Sequence, residues 1–239
     1  MNLPAALFTP SWSAELELAY APPFGSAKDP VNIAGYVATN VLNGSHEVIT
    51  WRELRALDTA NTVQLVDVRN PAGEFPVGSG RKRSGQRVLT VGTDCALGKK
   101  YTALALARAL QALGAKASFR ASGQTGIMIA GEGIAIDAVV ADFISGGIEW
   151  LSPARDDGGW DLIEGQGSLF HPAYAGVTLA LLHGTQPDVI VVCHEPGRTR
   201  MLGFPDFEIP AVEEVIDLAI RLGRRTNPGI RCAGLSLFR

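Results

Sequence analysis

The residue types best suited to chemistry gather in one stretch, Val88 to Thr102, which reads VLTVGTDCALGKKYT. Gly92, Thr93, Asp94, Gly98, Lys99 and Lys100 form a short glycine-bounded turn ahead of an Ala/Leu-rich run. Backbone N–H groups in such a turn converge with a helix N-terminus on one point, and a Lys ammonium adds a full positive charge, so the chemistry indicated is phosphate binding. The usual pattern is G-x-x-x-x-G-K-[ST]. Here Gly92 stands one residue too far from Gly98, and Lys100 takes the place of the hydroxyl that would meet Mg²⁺, with Thr102 two residues on.

Further candidates follow at intervals. Glu164 precedes two glycines in EGQG. A carboxylate there can hold Mg²⁺, directly or through water, beside a phosphate at Lys99, or act as a general base. Its structural alternative is to cap the helix that follows Gly176. His171 lies just past this turn, in a loop rather than on a periodic face. In CHEPGRT, Arg198 suits a phosphate or substrate carboxylate and His194 suits proton transfer near neutral pH, with Glu195 between them. Gln124 and Thr125 follow a strand end as ligand contacts, with a helix cap from Ser122 or Thr125 as the alternative. Asp137 and Asp142 read as solvated and His183 is left unassigned.

Short apolar runs alternating with helical spacing must position these groups. Strands are expected at Val88 to Val91, Lys116 to Arg120, Trp160 to Ile163, Asp188 to Cys193 and Ile230 to Leu237. Helices are expected from the turn to Leu113, through Ile136, Val139, Val140 and Phe143, and over Ala211 to Arg224 with Val212, Val215, Ile216 and Leu222 inward. From Gln86 onward this is a doubly wound, mainly parallel, three-layer α/β/α sheet with its ligand at the carboxyl edge of the strands.

The chain has 239 residues, 46% of them hydrophobic, enough for one substantial core. A net charge of -3 gives no reason to expect nucleic acid or an anionic membrane as partner, and the RKR run at 81–83 reads as a solvated linker. Three dispersed cysteines, with no signal peptide and no apolar run near membrane length, indicate a reduced, cytoplasmic protein. A small-molecule substrate is expected as partner, and a homo-oligomer is allowed.

The GTDxxxGK form and the EGQG turn together resemble dethiobiotin synthetase and its relatives. A more specific resemblance spans about 87–237. The blocks VGTDCALGKKYTALALARAL, ASGQTGIMIAGEGIAIDAVVADF, EGQGSLFHPAYAGVTLALLHGTQPD and CHEPGRT resemble, in order, the C-terminal P-loop domain of the D-glutamate N-acetyltransferase-like family, long described only as a domain of unknown function. Upstream, LELAYAPPFGSAKDPVNIAGYVATNVL resembles the end of the dimerisation domain of CoA-disulfide reductases and NADH oxidases, and VITWRELRALDTANTVQLVDVRNPAGEF the start of a rhodanese domain, without the later loop that would carry its cysteine.

These likenesses imply a division into 1–47 (reductase-like fragment), 48–75 (partial rhodanese-like segment), 76–86 (linker and junction) and 87–239 (P-loop α/β domain, truncated at its C-terminus). A helix is expected at Val31 to Leu42 and a strand at Gln64 to Val68. The family resemblance implies acetyl transfer from acetyl-CoA to a D-amino acid such as D-glutamate. The CoA pyrophosphate would then sit at Lys99, Arg198 would hold the substrate carboxylate, and Glu164 or His171 would take the amine proton. Two alternatives remain at this level. One is an ATP- and Mg²⁺-dependent ligase or kinase of dethiobiotin synthetase type, and the other is an inactive fusion that only binds a phosphate compound.

Overall fold

The computed structural model describes residues 75–238, together with Leu42, Arg52 and Glu53. The helix expected at 31–42, Leu42 apart, and the strand expected at 64–68 lie outside the described residues, as do nearly all of the reductase-like and rhodanese-like stretches. Residues 75–238 belong to the second of two units, Val66–Arg239.

Five parallel strands form the main sheet, in the order β2-β3-β1-β4-β7. They are β1 (Gln86–Gly92), β2 (Ala117–Arg120), β3 (Trp160–Ile163), β4 (Val189–His194) and β7 (Arg231–Leu237). A separate antiparallel hairpin consists of β5 (Arg200–Met201) and β6 (Phe204–Glu208). The helices are α1 (Lys99–Ala112), α2 (Gln124–Ala130), α3 (Ala141–Leu151), α4 (Ala175–Thr185) and α5 (Val212–Gly223). None in the described residues is long and apolar enough to cross a membrane.

Side-chain alternation along the strands separates two cores. Val88, Leu162 and Val189 pack with Ala103 and Ala107 of α1 on one face. Their neighbours Leu89, Ile163 and Ile190 face the other way, onto Ile144 and Ile148 of α3, Leu181 and Leu182 of α4 and Val215 of α5. Coverage on both faces explains why the strands read as continuous apolar runs.

The expected boundaries of these elements hold to within a residue or two, with two corrections. The apolar spacing from Ile136 to Phe143 is not one helix. Ile136–Ala138 is a 3₁₀ turn, Val139 and Val140 are extended, and α3 begins at Ala141. Ile136 is fully buried, whereas Val140 is exposed, so the matching spacing came from two unrelated elements.

Nor is the RKR run solvated throughout: Arg81 and Lys82 are exposed, but Arg83 is partly buried. Lys82 pairs with Asp188 at 3.0 Å, and Arg83 donates to the carbonyls of Ser152 and Gly184. Burial lowers Arg83 to about 10. Behind it Arg87, fully buried in β1, donates to Ser152 Oγ and to the carbonyls of Ser84 and Pro153. Lys82 and Arg83 therefore contact the amino-end side of the sheet, while Arg81 is exposed.

Candidate functional site

Strand β1 ends at Gly92, and the chain loops through Thr93 to Gly98 into α1. Gly98 takes φ +79, a left-handed conformation suited to glycine, and Ala96 takes φ +51. The amides of Ala96, Leu97, Gly98, Lys99, Lys100 and Tyr101 have no acceptor among the described residues, whereas Thr102 N–H begins the helical ladder by donating to Gly98 O. Free amides at a helix N-terminus favour an anion. Lys99 lies across this nest, 6% exposed, with Nζ donating to Asp94 O at 2.7 Å. Burial lowers its pKa from the ordinary lysine range.

Both oxygens of Asp94 are engaged. One oxygen accepts from Cys95 N–H at 2.7 Å, and the other accepts from Leu202 N–H at 2.8 Å and Arg198 Nη1 at 3.0 Å. Arg198 also donates to Cys95 O and through Nε to Glu195. With these partners Arg198 is a strut between the loop and the segment after β4, not the free cation expected for a substrate carboxylate. Glu195 is its counterpart in the strut. His194, at the end of β4, places Nδ1 3.1 Å from Thr93 Oγ1.

Glu164 directly follows β3, beside this loop. Its Oε2 accepts from the amides of Ser122 at 3.0 Å and Gly123 at 3.2 Å. Burial raises its pKa, the two backbone bonds opposing the shift. It therefore fastens the entry to α2, not the helix after Gly176. Neither Ser122 nor Thr125 caps α2: its N-cap is Gly123, while Ser122 Oγ donates to Glu164 O at 2.6 Å. Gln124 is paired with Asp137, and Thr125 is exposed. Asp142 lies in the exposed first turn of α3, and His183 in the last turn of α4.

The Mg²⁺ expectation fits these positions poorly. Lys100 extends its ammonium over the Tyr101 ring, and Thr102 Oγ1 is engaged by Ser236 Oγ at 2.8 Å and by the Cys193 thiol. Glu164 is held by backbone amides through Oε2, so it is the Lys100 and Thr102 positions, rather than the carboxylate, that disfavour the metal.

His171 is 1% exposed, its ring stacked on Tyr174 and edge-on to Phe204 of β6. Nδ1 accepts from Ala173 N–H at 3.1 Å, which leaves the proton of the neutral ring on Nε2. That Nε2 has no partner. A buried donor without an acceptor costs roughly 1–3 kcal/mol. Burial lowers the pKa of the ring. A ring nitrogen of His171, the Cys95 sulfur and an Asp94 oxygen lie within 4.8 Å of one another. This triad suits a metal poorly: Nδ1 is occupied, Nε2 carries hydrogen, and Asp94 already neutralises Arg198.

Beyond His194 a cleft of about 500 Å³ is lined by Arg198, Thr199, Arg200, Glu208 and the start of α5. Arg200 pairs with Glu208 at 3.2 Å, both exposed. The sequence reading missed this wall because it depends on the β5–β6 hairpin, whose two short strands carry no clear periodic signal.

Residues 76–238 match the family described as the domain of unknown function DUF1611_C, a P-loop domain. Two curated relatives are each named D-glutamate N-acetyltransferase. One, from Tritonibacter scottomollicae, is 53% identical over 199 residues, and one from a Pseudoalteromonas species is 48% identical over 199 residues. Each alignment covers 83% of this chain and 60% of the relative, so the chain spans less than two thirds of their length. The alignments are longer than the stretch from 76 to the C-terminus and take in residues before it. A crystal structure of a DUF1611 family protein from Anabaena variabilis superposes with a TM-score of 0.65 at 38% identity, covering 72% of this chain and 51% of that one. With the fold, the loop and the family match in agreement, the chain belongs to the DUF1611 family through its P-loop domain.

Proposed function

We propose that this chain transfers an acetyl group from acetyl-CoA to the amine of a D-amino acid, D-glutamate being the first candidate. The observation that carries this reading is the nest of free amides from Ala96 to Tyr101 around Lys99, a site for a pyrophosphate that needs no metal. The names of the two curated relatives point to the same chemistry. An ATP- and Mg²⁺-dependent ligase is disfavoured by Lys100 at the hydroxyl position and by the engagement of Thr102 described above.

In this reading the CoA pyrophosphate lies on the nest and the acceptor occupies the cleft beyond His194. Arg200, whose partner Glu208 is exposed, is the cleft cation with capacity for a carboxylate. The amine nitrogen attacks the thioester carbonyl, the C–S bond breaks, and CoA leaves as its thiol. His194, rather than Glu164 or His171, takes the amine proton, because of the three it is the one that lines the cleft assigned to the acceptor.

The test is to incubate the full chain with isotopically labelled acetyl-CoA and D-glutamate and to follow labelled N-acetylglutamate by mass spectrometry. Product formation that falls about 100-fold or more in His194→Ala is expected. Absence of product with folded wild-type chain contradicts the proposal and leaves binding alone.

A further inference from the structure

The orphaned Nε2 of His171 is the clearest unexplained polar atom near the phosphate loop. The ring is held from both sides by Tyr174 and Phe204, and Ala173 N–H occupies Nδ1, so neither rotation nor a tautomer change is free. No acceptor among the described residues reaches Nε2. Its ionisable neighbours are Asp94, Cys95 and Lys99. Asp94 is already bonded to Arg198, Leu202 and Cys95, and Lys99 Nζ donates to the Asp94 carbonyl. What is missing beside the loop is therefore an acceptor, and an anion bound on the nest would bring several.

We infer that His171 is a fixed, uncharged hydrogen-bond donor to a phosphate oxygen of the ligand held on the Ala96–Tyr101 nest, and not a proton acceptor in the reaction. This rests on the reading of the nest as an anion site. His171 then acts as part of the binding wall: its Nε2–H lengthens the row of donors supplied by the backbone amides. A neutral donor also adds no charge to a loop that already holds Lys99 and Arg198.

The experiment uses inorganic pyrophosphate, titrated calorimetrically into the full chain and into His171→Phe, His171→Gln and Lys99→Ala. Phe keeps the ring contacts with Tyr174 and Phe204 but removes the donor, and Gln can present an N–H at similar reach. The inference expects pyrophosphate to bind about 10-fold more weakly to His171→Phe and within about 3-fold of wild type to His171→Gln. It also expects the pH profiles of wild type and His171→Gln to superimpose, because no histidine charge is used. In ¹⁵N-labelled wild type, the His171 Nε2 proton should move downfield on adding pyrophosphate, a readout that a purely structural ring would not give. Unchanged binding in His171→Phe, or failure of Gln to restore what Phe loses, overturns the role of His171. Absence of pyrophosphate binding to wild type, or its survival in Lys99→Ala, instead overturns the anion-site reading beneath it.

Discussion

Arg198 Nη1 donates to Asp94 Oδ2 at 3.0 Å, tying the segment after β4 to the phosphate loop after β1. Asp94 is completely buried while Arg198 is 17% exposed, so removing the guanidinium leaves a buried carboxylate without its counter-charge. Arg198→Ala should destabilise the fold by about 3 kcal/mol, the low end of the range for breaking a buried pair, because the amides of Cys95 and Leu202 still serve the carboxylate. For a domain of this size that is a fall of roughly 6–12 °C in Tm, readable by circular dichroism. An unchanged Tm with weakened carboxylate binding would restore Arg198 to the substrate-gripping role.

Close backbone packing behind the loop gives a second test. A Cβ on Gly165 would come within 1.7 Å of Thr90 O, at the point where Gly165 N–H donates to Thr90 Oγ1, and would also crowd the Lys99 side chain. Gly176, in the first turn of α4, has open space around the corresponding position. Gly165→Ala should destabilise by about 1–3 kcal/mol or more, and Gly176→Ala should be neutral or stabilising by up to about 1 kcal/mol. Denaturant midpoints for the two variants measure this directly, and equal midpoints would refute the packing argument.

The buried carboxylate at the end of β3 makes stability depend on pH in a defined direction. Glu164 has its pKa raised above 4.5 by burial, so the folded state holds this proton more tightly than the unfolded chain. The protonated form is therefore favoured in the fold, and as pH rises from about 4.5 through the raised value the contribution of Glu164 to stability falls. Gln at 164 does not titrate. The Tm of Glu164→Gln relative to wild type should increase between pH 4 and pH 8, and parallel Tm curves would mean that the carboxylate is not desolvated.

Much of the fold was legible because it is written in local patterns. Val88, Leu89 and Val91 announce β1, and the Val212, Val215, Ile216 spacing announces α5. Gly98 and Lys99 marked the loop that opens α1 for the same reason, since a glycine turn before a helix is a local feature. What escaped was set by contacts distant in sequence. The Arg198 guanidinium looked like a free cation until the structure placed Asp94, 104 residues earlier, beside it. Glu164 looked like a metal ligand or base until Ser122 and Gly123 were found donating to it. His171 was singled out for its place in a loop past the EGQG turn, but its protonation is fixed by Ala173 N–H, which spacing alone does not reveal. Likewise Arg81 to Arg83 read as solvated because the carbonyls that receive Arg83 lie at 152 and 184.

The central claim is that the nest around Lys99 holds the pyrophosphate of acetyl-CoA without a metal. Calorimetric titration of acetyl-CoA into the full chain in the presence of EDTA, repeated with Lys99→Ala, measures it most directly. The account predicts saturable binding to wild type, weakened about 10-fold or more by removal of the Lys99 charge. Heat seen only with ATP and Mg²⁺, and none with acetyl-CoA, would contradict it.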